Sequence, residues 1–124
     1  MDVLGATLSL ARAVGLRVRP RWGAPRMFPQ ARDRAYTVYP PRDGVYEVVL
    51  SPRMRDEPDD RALGVILHEL GHVACFVNAH PRHSEREADQ EAEALFGVEI
   101  RYDDRDLVQT LDARGIRPRP RELG

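Results

Sequence analysis

Two histidines four residues apart with a glutamate beside the first, His68-Glu69-Leu70-Gly71-His72, are residue types that can hold a divalent metal and move a proton. At 3.6 residues per turn, positions 68 and 72 lie about 40° apart on a helix, so both imidazoles can converge on one ion. Glu69 lies about 100° round from His68, at the edge of that face, where its carboxylate can reach a water on the ion. The apolar stripe of the segment is an independent check. With His68 at 0°, Leu63, Ile66, Leu70, Val73 and Val77 fall at roughly 140–220°, so the core face is expected opposite the histidine pair. A chance HExxH would be two surface histidines. An apolar helix with the small Gly71 inside the motif, and a second helix close behind it, points instead to zinc.

A catalytic zinc site takes three protein ligands and keeps one open position. A histidine six residues past His72 with a glycine midway would complete one known pattern, but those positions are Asn78 and Cys75, which excludes the metzincin arrangement. The helix that opens at Ser84 is the better source. Glu85 and Asp89 are four apart on one face of it, so one can ligate while the other accepts the N–H of a ligand imidazole.

HELGH followed by Glu85-Arg86-Glu87-Ala88-Asp89 (E-x-x-A-D) resembles the gluzincin peptidases, and in size and layout is most similar to the small ImmA/IrrE-like peptidases and the minigluzincins. The resemblance covers roughly residues 35–97. It implies His68, His72 and Glu85 as zinc ligands, Glu69 as catalytic base and Asp89 as the carboxylate behind a ligand histidine. Glu87, on a different face of the helix, is the alternative ligand. Only 12 residues separate His72 from Glu85, which leaves little space for substrate-binding insertions. The chemistry that follows is peptide-bond hydrolysis: zinc acidifies its water and polarises a carbonyl, while Glu69 takes the proton and returns it to the leaving amine. His80, His83, Tyr46 and Tyr102 are candidate oxyanion donors. His80 and His83, as loop residues, can equally be solvated, and Cys75 is expected to pack as a small apolar residue.

The elements that must position these groups are readable by pattern. Residues 2–14 read as an amphipathic helix ended by Gly15, and Leu16–Gln30, broken by three prolines and a glycine, as an extended connection. The runs at 35–39 and 45–50 flank Asp43-Gly44 and predict a β-hairpin, whose edge strand could pair with an extended peptide. Asp59 and Asp60 open the helix of the motif, which should stop near Asn78 before Pro81. Ser84 and Glu87 form a capping box for a helix running to about Phe96 before Gly97. Residues 104–114 read as a helix and about 116–124 as a frayed tail. The expected fold class is α+β in one domain over 1–124: an N-terminal helix, a small antiparallel sheet and a zinc-binding helical hairpin.

With 124 residues the chain has length for one core. No apolar run approaches the ~18 residues of a membrane span, the N-terminus lacks the pattern of a secretory leader, and one cysteine excludes an internal disulfide, so a cytoplasmic protein is expected. The net charge of −1 hides a division: 10 Arg face 4 acids in residues 1–55, and 3 Arg face 11 acids in 56–100. All 19 basic residues are Arg, which genome bias or a demand for heat-tolerant bidentate charge would each produce. No aromatic-interleaved or helix-turn-helix pattern accompanies the basic half, so direct nucleic-acid binding is not expected. The partner expected is a peptide or protein substrate, and the resemblance suggests a DNA-binding regulator. The rival reading is a non-catalytic or latent zinc-containing regulatory module that contacts a regulator or nucleic acid through the Arg-rich half. In the latent form, the 16–30 segment or the Arg117–Arg121 tail would cover the cleft.

Overall fold

The computed structural model describes residues 1–100 and is an α+β fold of three helices and a three-stranded sheet. The elements are α1 (Val3–Ala13), β1 (Val18–Trp22), β2 (Ala35–Thr37), β3 (Tyr46–Leu50), α2 (Asp59–Val77) and α3 (Glu85–Phe96), with single 3-10 turns at Pro25–Met27 and Pro52–Asp56. The expected helix at 104–114, the tail and Tyr102 lie outside the described residues.

β3 is the central strand. Val48, Val49 and Leu50 are wholly buried, as a strand covered on both faces requires. β2 pairs with it antiparallel through Tyr36↔Val49, and Asp43 and Gly44 both take positive φ in the link, as the Asp-Gly signal predicts for a primed turn. On the other side β1 pairs parallel to β3, from Val18↔Tyr46 to Trp22↔Leu50. The sheet is therefore mixed, not antiparallel, and residues 18–22 are a strand rather than part of a connection. Prolines misled the sequence reading here. Pro20 is tolerated because β1 is a sheet edge, where a missing N–H costs no ladder bond. The period-2 series Val18, Pro20, Trp22 facing inward between Arg19 and Arg21 was the available signal.

Asp2 caps α1 by accepting from the Gly5 amide, and Val3, Thr7, Leu10 and Ala11 form its buried side. α2 begins with Asp59 and Asp60 in its first turn and closes at Asn78. Every residue from Ala62 to Gly71 is buried, because the sheet and α1 cover one side of this helix and α3 the other. α3 packs against the histidine face and buries His68, while His72 remains half-buried, and Val77, assigned by periodicity to the core, is exposed in the last turn. α3 opens with the reciprocal Ser84–Glu87 capping box and ends at Gly97 in the left-handed conformation.

The crossing of α2 and α3 depends on one residue. A Cβ on Gly71 would stand 2.0 Å from the Ala88 carbonyl oxygen and 3.2 Å from the Ala92 methyl, so only glycine permits this approach. Ala88 and Ala92 are its small counterparts on α3. The charge division is partly internal to the fold. Arg34 pairs with Glu57 across the division, whereas within the basic half Arg21 pairs with Glu47, Arg53 donates to the Phe28 and Gln30 carbonyls, and Arg55 lies 4.2 Å over the Trp22 ring. Among the described residues no helix is long and apolar enough to cross a membrane.

Candidate metal centre

His68 and His72 project from successive turns of α2 toward the first two turns of α3. The Nε2 atoms of the two rings are 3.1 Å apart, and Glu85 Oε2 lies 2.6 Å from that of His68 and 2.9 Å from that of His72. Three donor atoms from two helices therefore face a common point. On the far side of His68, Nδ1 is 2.6 Å from Asp89 Oδ1, with both side chains buried.

Hydrogen-bond accounting assigns the tautomers. A carboxylate only accepts, so His68 Nδ1–H donates to Asp89, and Nε2, facing a second carboxylate oxygen on Glu85, is compatible with it only when a cation, a proton or a metal ion, lies between the two. His83 Nδ1–H donates to the His80 carbonyl at 2.6 Å, so His83 Nε2 is an acceptor. It lies 2.6 Å from His72 Nδ1, which must then be the protonated nitrogen of that ring. Both Nε2 atoms thus face the same Glu85 oxygen within hydrogen-bond distance. Two ring nitrogens and a carboxylate oxygen this close need positive charge between them, which a shared proton supplies in the metal-free protein and a divalent ion would supply in its place.

The donor set fits a metal by this observation. Ligands about 2.0–2.1 Å from zinc in tetrahedral geometry are separated by about 3.3 Å, and the distances here are within a few tenths of an ångström to ~0.7 Å of that. Two imidazole nitrogens and one carboxylate oxygen are the mixed set that zinc accepts. Donor atoms of His68, Glu69 and His72 also fall within 4.8 Å of one another. Glu85 approaches both imidazoles within hydrogen-bond distance, whereas a Glu69 oxygen is taken by the Thr37 hydroxyl, so His68, His72 and Glu85 are the residues that could hold the ion, with Glu69 beside them. The two imidazoles hold the Glu85 carboxyl well below the usual carboxylate range, in the form a ligand needs.

Glu69 is 5% exposed, and its Oε1 accepts from the Thr37 hydroxyl on β2 at 2.9 Å. Thr37, which no motif singles out, thereby orients the carboxylate; its place on the edge strand next to the motif helix was the one sequence signal. Glu69, His72 and Glu85 share an open cleft of about 270 Å³ with Ala35, Tyr36 and Thr37 of β2 and with Phe76, Pro81 and His83.

The remaining candidates fall in different places. Glu87 is exposed and occupied by the capping box, where the Ser84 amide and hydroxyl hold its carboxyl low, so it stands apart from the imidazoles. Tyr46 is buried on β3 against Phe76, which separates it from the cleft; burial and the neighbouring Tyr39 raise its phenol. His80 is exposed and contributes its backbone, receiving His83 and donating its amide to Cys75 O. His83 borders the cleft with both ring nitrogens engaged. Cys75 is buried, and burial with Glu91 and Glu87 nearby pushes its thiol up to about 11. The 16–30 segment, with β1 on the opposite edge of the sheet from β2, contributes nothing to the cleft lining. No family model matches the chain, and neither curated proteins nor solved structures offer a match.

Proposed function

We propose that this protein is a zinc-dependent peptidase of gluzincin type, with His68, His72 and Glu85 holding the ion and Glu69 as general base. The observation that carries the reading is the convergence of the two Nε2 atoms and Glu85 Oε2 within 3.1 Å, beside a buried carboxylate that opens on a cleft. A bound zinc ion would supply Lewis acidity, lowering the pKa of water toward ~7 and polarising a carbonyl. Glu69 takes the proton of the attacking water and delivers it to the leaving amine, and Thr37 keeps the carboxylate facing the cleft. Asp89 accepts from His68 Nδ1–H and so turns Nε2 toward Glu85 and the place the ion would take. An extended substrate segment aligns along β2, the terminal strand of the sheet, whose three residues line the cleft. The buried, lone Cys75 agrees with a reducing, cytoplasmic setting.

Glu69→Gln tests this directly. With zinc loaded, cleavage of a peptide library and of candidate DNA-binding regulators should fall by about 10²–10⁴ while zinc affinity stays within a few-fold of wild type. Zinc binding without cleavage of any substrate by the wild-type protein would replace the enzyme reading with a non-catalytic module built on the same metal scaffold.

A further inference from the structure

His83 lies in the loop between α2 and α3, outside both the HELGH motif and the helix that supplies Glu85. Its ring is fixed on three sides. Nδ1–H donates to the His80 carbonyl, Nε2 meets His72 Nδ1 at 2.6 Å, and the ring stands edge-on to Phe76 with centroids 4.8 Å apart. The His80 carbonyl is itself held, because the His80 amide donates to Cys75 O at the end of α2. A carbonyl anchored to the helix end therefore decides which nitrogen of His83 is the acceptor, and that decides which nitrogen of His72 carries the proton.

We propose that His83 is a positioning residue for the metal centre. It locks His72 in the Nδ1–H tautomer and aims the Nε2 lone pair at His68 and Glu85, the task that Asp89 performs for His68. The two histidines of the motif are then oriented by different parts of the chain, His68 by a carboxylate on α3 and His72 by an imidazole of the loop. The difference is physical as well as positional. Asp89 brings a carboxylate, which makes His68 a stronger donor, whereas the His83 imidazole sets direction without adding a further carboxylate to a site already holding Glu69, Glu85 and Asp89. The geometric part stands on the hydrogen bonds alone. The consequence for metal affinity rests on the metal-centre reading above.

The test compares wild type with His83→Phe, which keeps the ring against Phe76 but removes the acceptor, and His83→Gln, whose side-chain carbonyl reaches about as far as Nε2. Long-range ¹H–¹⁵N correlation on the metal-free proteins at about pH 8, where free imidazoles are neutral, reads the His72 tautomer. Zinc affinity is read by competition with a chelator. We expect the Nδ1–H form of His72 in wild type and in His83→Gln, and a mixture in His83→Phe. We also expect zinc binding about 10–100-fold weaker in His83→Phe and close to wild type in His83→Gln. An Nε2–H His72 in the wild-type protein overturns the proposal whatever the variants do. So does a His83→Phe protein that retains the Nδ1–H tautomer. A wild-type protein that holds the Nδ1–H tautomer yet binds no zinc supports the positioning role and overturns the metal-centre reading instead.

Discussion

Asp89 is a buried carboxylate whose partner is a buried imidazole N–H, so removing it exposes two separate costs. Asp89→Ala leaves the His68 donor without that acceptor, which costs about 1–3 kcal/mol of stability in a denaturant titration. It also frees the ring to turn, and zinc affinity measured against a chelator should drop about 10–100-fold. Cys75 offers a test that owes nothing to the metal. Its thiol is raised from the ordinary value near 9 to about 11, mainly by burial, so below pH 9 the folded protein carries almost no thiolate. Alkylation should be slow in the native protein and fast in denaturant at the same pH. The linkage has a definite sign: the folded state retains its proton longer than the unfolded one, so this contribution to stability is present below pH 9 and is lost as pH rises through about 11. The residues legible from sequence were those whose spacing lies within one helix, His68, Glu69 and His72. Glu85 and Asp89 follow from the match to E-x-x-A-D, and His83 is named as an oxyanion candidate, but its partnership with His72 and that of Thr37 with Glu69 are not legible, because the partners lie 11 and 32 residues apart on different elements.

At the scale of elements, α2 and α3 form the site only because they touch at Gly71. Alanine is the better helix former by about 1 kcal/mol, so local propensity alone predicts that Gly71→Ala stabilises the protein. The crossing predicts the reverse. The new methyl would overlap the Ala88 carbonyl, a backbone atom that cannot turn aside, and α3 must retreat. Overpacking of this kind costs about 1–3 kcal/mol, and the retreat carries Glu85 and Asp89 away from the imidazoles. We expect a lower unfolding midpoint together with weaker zinc binding; a midpoint raised by the substitution would contradict the close crossing. The boundaries of these helices were legible because they rest on local chemistry, Asp59 and Asp60 at one start and the Ser84–Glu87 box at the other. The approach of α3 to the histidine face was expected from the short link, but its closeness was not, since a helical wheel reports which face is apolar and not how near a second element packs.

For the molecule as a whole, a ligand that binds only the folded state stabilises it by mass action. With free zinc 100-fold above its dissociation constant the gain is about 2.7 kcal/mol, enough to raise the thermal midpoint of a chain this size by about 10 °C, and a chelator should reverse it. Magnesium, which prefers oxygen ligands and octahedral geometry, should produce no comparable shift at this His2Glu set. An unchanged midpoint with zinc would argue against a preformed centre. By itself, the sequence determined the α+β class, the helix limits, the Asp-Gly hairpin and the motif, because each depends on periodicity, capping or turn chemistry within a few residues. The tertiary structure decided that β1 runs parallel to β3, that His83 meets His72 and Thr37 meets Glu69, and how closely Glu85 and Asp89, both expected from the motif, approach the imidazoles. Those outcomes depend on how closely two helices approach and on which edge of a sheet a distant strand occupies, and such distances are set by packing across the core.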